Sequence, residues 1–266
     1  MKRLILVVAF LVLGSMAALA QDWWQENSAD YPPISLELNA WLSDLGGSAR
    51  WSQSKPGTSI NFKDDTGVSD DTFGPYIRLN IGLSDRWTLR LSFWHTKHQG
   101  TADLEDKVVF GDVTFPKDIE TETTLAVDAY YALAGHKFID GEQLDFILMF
   151  GLATFSTRME LENTDGLQRE LDSVVASPAV GVGIDLALSK DLLFRSQIVG
   201  FAADMYHANG QWFDAEGAFN LTLVEGIYFT AGYKLFRTNV DFDRDAETNS
   251  ADFRMQGPFF GIGLVF

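Results

Sequence analysis

The feature that most constrains this chain is a period-two alternation of apolar and polar or small residues, recurring along most of its length. A strand turns successive side chains to opposite faces, so each such stretch predicts a two-faced strand. The clearest runs over about 174–188, where Val180, Val182, Ile184, Leu186 and Leu188 alternate with Ala179, Gly181, Gly183, Asp185 and Ala187. Nine more segments repeat the pattern, at about 34–44, 75–83, 87–98, 122–137, 143–159, 192–205, 212–223 and 227–240, with a last one ending at Phe266.

Their length decides what they build. A tilted strand needs roughly 9–11 residues to cross a bilayer. The face opposite the apolar one holds Gly, Ala, Ser and charged residues, which suits a polar lumen better than a soluble sandwich core. Within lipid only helices and closed barrels satisfy every backbone group. Beyond the first residues no stretch reaches helical-span length. The expected fold is therefore all-β: a transmembrane antiparallel up-and-down β-barrel of about ten strands, with eight or twelve as the neighbouring counts. Short turns at Ser84-Asp85-Arg86, Asp140-Gly141, Lys190-Asp191 and Glu225-Gly226 alternate with longer acidic loops. The stretch from Ser59 to Asp65 is expected to add β-structure above the membrane.

The start of the chain predicts export. Lys2 and Arg3 precede an apolar run from Leu4 to Leu13, and Ala18-Leu19-Ala20 stands before Gln21-Asp22. That order is the n-region, h-region and A-x-A site of a cleavable secretory signal, too short for a helical span. The expected organisation is a signal peptide over 1–20, a periplasmic segment over 21–33 holding Trp23, Trp24, Pro32 and Pro33, and a barrel over 34–266. Losing Lys2 and Arg3 takes the formal charge from −17 to about −19, which argues against nucleic-acid binding. With no cysteine, the chain has neither a lipidated Cys nor a disulfide.

Together with the export signal and the repeated dyads, the closing Gly261-Ile262-Gly263-Leu264-Val265-Phe266 resembles the small bacterial outer-membrane barrels, the broad group of OmpA-like and OmpW-like proteins. The stretch Phe62-Lys63-Asp64-Asp65-Thr66-Gly67, followed by an Arg-containing strand, also looks like a segment of that group. The resemblance implies Sec-dependent export to the outer membrane of a Gram-negative cell. It implies contact with lipid and lipopolysaccharide, and a terminal signal for the barrel-assembly machinery carried by Phe260, Ile262, Leu264 and Phe266. It does not fix an activity, because one fold serves many functions.

Alternation assigns a set of charges to the lumen: Glu37, Asp128, Asp145, Asp185, Asp214 and Glu216, facing Arg78, Arg90, Arg195 and Lys234. In the segment at about 122–137, Leu125, Val127, Ala129, Tyr131 and Leu133 are taken as outward, with Asp128 and Tyr130 inward. Near-balanced charges in a narrow barrel predict a paired network; a solute path is the alternative. Trp87, Tyr131, Phe138, Tyr233 and Phe266 are expected in aromatic girdles, while Trp41 and Trp94 plug the lumen.

The histidines are His95, His98, His136 and His207; His207, close after Asp204, could approach an acidic loop, but none stands in a motif that supplies a nucleophile or an activated water. Asp241, Asp243, Asp245 and Asp252 fall near positions 1, 3, 5 and 12 of a calcium loop, but Ala246 replaces the Gly that its turn requires. Asp64, Asp65, Asp70 and Asp71 form another acidic cluster, able to share divalent ions with lipopolysaccharide phosphates. The reading assigns no cofactor, no metal and no catalytic residue. It expects a monomeric barrel with a structural or envelope-surface role. A narrow channel for small solutes is the first alternative, and a lipid-modifying or proteolytic enzyme the second.

Overall fold

The computed structural model of the chain describes residues 34–52, 57–68, 71–141, 143–205, 208–244 and 247–266. The segments read as signal peptide and periplasmic lead, together with His207, Asp70, Asp245 and the side chains of Asp204 and Asp243, lie outside what is described.

Over its described residues the chain folds into strands joined by turns, with no helix among them. Its elements are β1 (Ser35–Arg50), β2 (Ser59–Asn61), β3 (Asp71–Gly82), β4 (Trp87–Asp103), β5 (Val108–Phe110), β6 (Val113–Phe115), β7 (Glu120–Asp140), β8 (Leu144–Asn163), β9 (Gln168–Ala187), β10 (Leu192–Met205), β11 (Ala208–Val224), β12 (Ile227–Arg244) and β13 (Glu247–Val265). Ten of them form one antiparallel ring, in the order β1, β3, β4, β7, β8, β9, β10, β11, β12, β13. It closes where β13 pairs with β1, from Ser35 opposite Val265 to Arg50 opposite Ser250. The final amide, that of Phe266, donates to the carbonyl of Ile34. Closure removes both sheet edges, which is what lets such a sheet stand in lipid.

Alternation explains why the wall has two chemistries. Leu38, Phe73, Leu152, Val180, Ile198 and Ile262 are more than half exposed on the outside. Inside, on the same strands, Glu37, Trp41, Tyr76, Ala153 and Phe259 are buried. A continuous belt of exposed apolar residues is a lipid-facing surface. Aromatics mark its lower rim: Trp87 lies against His136 and Phe150, Phe138 against Phe146, and Phe266 is 74% exposed.

The inside-outside assignment holds on nine of the ten strands and is reversed on β7. Leu125, Val127, Ala129, Tyr131 and Leu133 are buried inside, whereas Tyr130 and Ala132 are exposed outside. Asp128 is therefore on the outer wall, where its Oδ1 lies 2.8 Å from Nδ1 of His95. Tyr131 leaves the girdle for the interior, and Tyr130 takes the outer place beside Phe93. Apolar residues occupy both faces of this strand, so hydrophobicity alone cannot orient it. Its partners do: His95 faces outward on β4, and register sets it opposite Asp128.

The strands also run further than the sequence suggests. Above the apolar belt, β8 continues through Thr154, Ser156 and Arg158 on its outer face, and ends in a tip at 164–167 joining it to β9. Arg158 bridges to Glu170 and Asp172 of β9, and these carboxylates hold its guanidinium further above its ordinary range. The acidic stretch read as a loop after residue 240 is a hairpin arm. Asn239 of β12 pairs with Asp252 of β13, and Asp241 with Ser250, so Asp241 and Asp252 belong to two strands rather than a calcium loop.

Two longer connections fold over one half of the mouth. After β2, which pairs antiparallel with the upper end of β1, residues 61–67 make a compact turn: Asn61 Oδ1 accepts from Lys63 and Asp64, Thr66 donates to Phe62, and Gly67 takes a φ of 60°. The turn inserts Phe62 against Phe253. The β5–β6 hairpin is tied to the β1–β2 connection through Thr58 to Val109 and Gly111 to Trp51, and to β9 through Asp112 and Arg169. Phe62, Phe110 and Phe115 are fully buried beneath this cover.

Candidate functional site: the lumen of the barrel

The inward side chains of β1, β3, β10, β11 and β12 meet in one connected network. Glu37 is the lower hub: its carboxylate accepts from Arg195 at 2.6 Å, from Arg78 at 3.2 Å and from the Tyr228 hydroxyl at 2.9 Å. Arg78 also reaches Glu216 and the hydroxyl of Tyr76. Tyr76 donates to Glu216 at 2.6 Å. Lys234 joins Asp214, and its ammonium stands over the rings of Tyr76, Trp41 and Trp94 at 4.9, 5.7 and 5.9 Å. Asp214 in turn accepts from Tyr131 at 2.7 Å and from the Trp94 indole at 3.3 Å.

Below the hub, Arg90 bonds Asn80 and Gln197, and Asp185 stands 3.5 Å from Arg195. The four acids Glu37, Asp185, Asp214 and Glu216 thus stand with four cations, Arg78, Arg90, Arg195 and Lys234. A buried charge is tolerated best when paired and hydrogen-bonded; all of these but Arg90 stand in an ion pair, and Arg90 rests instead on the neutral side chains of Asn80 and Gln197.

Several of these contacts cross the lumen. Trp94 on β4 and Asp214 on β11 are five strands apart in either direction around the ring. Above them Trp94 packs edge-on against Trp41 at 5.3 Å and against Phe236 at 5.1 Å, and Phe155 continues the layer to Trp212 at 4.9 Å. Trp41, Trp94, Arg78, Tyr76, Lys234 and Phe236 are all no more than 1% exposed. Small residues on β13 leave room for this filling. A Cβ at Gly263 would stand 2.0 Å from the Tyr228 ring.

Of the residues singled out in the sequence, Glu37, Arg78, Arg90, Asp185, Arg195, Asp214, Glu216 and Lys234 lie together in the lumen. Asp145 lies apart near the lower rim, 2.8 Å from Lys137. Asp128 is outside the barrel, for the reason given by the register of β7. His95 shares the outer wall with it, whereas His98 is buried inside against Ser43, so the two histidines face opposite sides. Phe260 and Ile262 are about half exposed on the lipid side near Phe266. Tyr76, Tyr228, Asn80 and Gln197 join the network without a charge of their own; their signal in the sequence is inward parity next to a charged neighbour. Tyr131, expected in the outer girdle, joins it through the reversed face of β7.

A filled interior inside a lipid-compatible wall defines the class: a transmembrane β-barrel of the outer-membrane type. No family model matches the chain, and no curated protein matches it in sequence. Solved structures do match in shape. The outer membrane protease OmpT of Escherichia coli superposes with a TM-score of 0.59 at 7% identity, covering 88% of this chain and 97% of that one. The translocator domain of the autotransporter NalP from Neisseria meningitidis gives 0.44 at 11% identity, over 98% and 97%. The toluene transporter TodX of Pseudomonas putida gives 0.33 at 8% identity, over 87% and 89%. At these identities the OmpT match speaks to the fold alone.

Proposed function

We propose that this protein is a plugged, monomeric barrel of the Gram-negative outer membrane that serves the envelope structurally and at its surface, rather than by passing solutes. The observation that carries the reading is the side-chain bridge across the lumen, from Trp94 on β4 through Asp214 on β11 to Lys234 on β12. Any solute crossing the barrel would have to break buried ion pairs and unstack Trp41, Trp94 and Phe236 together. Stripping one partner from a buried pair costs about 3–5 kcal/mol, so thermal opening of several is rare.

The same reading has the chain exported by cleavage after Ala20, with the tight turns in the periplasm and the extended polar arms of β7, β8 and β9 outside. Its partners are outer-membrane lipid, lipopolysaccharide and, during biogenesis, the assembly machinery that reads Phe260, Ile262, Leu264 and Phe266. It assigns no catalytic role, and in support of that reading His95 and His98, the two described histidines near the top of a strand, stand on opposite faces of the wall and do not meet in one site. Planar-bilayer recording on the refolded protein is the test. Absence of discrete current steps agrees with a plugged barrel, and stable steps refute it.

A further inference from the structure

The cover formed by the β2 turn and the β5–β6 hairpin closes only part of the upper lumen. Against the remaining wall, between β7–β9 and β11–β13, lies a cavity of about 250 Å³. Its floor and sides are aromatic: Phe155, Trp212, Phe236 and Phe253, with Trp51 at the edge. The Trp212 N–H is already taken by Ser177 at 3.0 Å, so the indole offers the cavity a ring surface and not a donor. Towards the mouth the lining turns polar through Thr157, Ser173, Thr238 and Asn249. Two charges of opposite sign stand at the rim, Arg50 and Asp172, the latter held by Arg158, so the lining carries no net charge to favour an ionic ligand.

We infer that this cavity is a receptor site for a small uncharged aromatic molecule of one or two rings carrying a single polar substituent. Aromatic walls prefer edge-to-face and offset contacts with another ring, and such pairs add to the gain from burial. Size agrees: apolar cavities of about 150 Å³ stay dry and take up benzene, so the larger volume here has room for a fused pair of rings. The gradient from apolar floor to hydroxyl-lined mouth orients the guest, ring downward and substituent outward. Beneath the floor, Tyr131, Trp94 and Asp214 seal the way down. A guest that enters from outside must therefore leave by the same opening, so the site binds without transporting.

The test uses the full mature protein in lipid nanodiscs, titrated with 2-naphthol by calorimetry against empty nanodiscs. Two substitutions fill the cavity from different strands, Ala251→Phe on β13 and Ser173→Phe on β9; Ala132→Phe, on the lipid face of β7, is the control. Heat-dependent gel mobility verifies that each variant is folded. The expected result is saturable one-to-one binding that falls by about ten-fold or more in both filled variants and persists in the control. No saturable heat above empty nanodiscs, or equal binding in both folded filled variants, would overturn the assignment. Either result leaves the conductance reading standing, so the two claims fail separately.

Discussion

Lys234 stands opposite Glu216 in the register of β12 and β11, yet its ammonium closes on Asp214, one dyad further along. Glu216 lies 3.9 Å from the same ammonium because Arg78 and Tyr76 have drawn its carboxylate towards β3. The diagonal pairing follows from competition: Arg78 serves two acids, Glu37 and Glu216, and leaves Lys234 free to serve Asp214. Pairing across the lumen has thus overridden pairing along the sheet.

Removing the lysine should therefore cost much more than a surface charge. Lys234→Met leaves Asp214 buried without its cation and should destabilise the barrel by about 3–5 kcal/mol. Adding Asp214→Leu should recover part of that loss, because the two sites share one interaction. Urea unfolding in lipid vesicles, followed by tryptophan fluorescence, measures both. Equal stability of Lys234→Met and the native chain would contradict the network.

The orientation of β7 can be read directly. A fluorophore attached at Tyr130→Cys should be quenched by spin-labelled lipid, and one at Tyr131→Cys should not. The opposite pattern would restore the orientation that hydrophobicity alone suggests.

That strand also shows where sequence ceases to be legible. On β9, lipid-facing Val180 and Val182 alternate with Ala179 and Gly181, so the two faces differ in composition and parity alone sets their direction. On β7 the upper lumen is itself apolar, filled by Phe155, Phe236 and Phe253, so Leu125 and Val127 are at home inside. Asp128 then reads as a lumen charge when it is an outer-wall partner of His95. Neighbours in register, such as Glu37 and Arg78, follow from parity and strand order. Contacts across the ring, such as Tyr76 with Glu216, depend on closure and stagger, which no local pattern encodes. Of the mouth cover, β2 falls within the stretch expected to add β-structure, whereas the β5–β6 hairpin escaped for the same reason: it is held by Trp51 and Arg169, both remote in sequence.

Room for Tyr228 depends on Gly263. Gly263→Ala should displace the ring, deprive Glu37 of its hydroxyl donor and destabilise the barrel by about 1–3 kcal/mol. Tyr228→Ala in the same chain should remove most of the steric part of that penalty, so the loss in the double variant should fall well below the sum of the two single losses. Strict additivity in the same unfolding assay would contradict the contact.

Phe266 is exposed to lipid and its backbone amide closes the ring onto Ile34. Deleting it should slow appearance of the heat-modifiable folded band in cells, while protein that has assembled keeps the stability of the full chain to within about 1 kcal/mol. Assembly at the native rate would remove the signalling role assigned to this residue.

The central claim is that the lumen is closed by contacts spanning its diameter. Planar-bilayer recording across a range of voltages, with refolded full-length protein inserted and counted, tests it most directly. The account predicts a flat trace from the native chain, with steps appearing once Trp94→Ala and Asp214→Ala are combined. Reproducible single-channel steps from the native chain would contradict it.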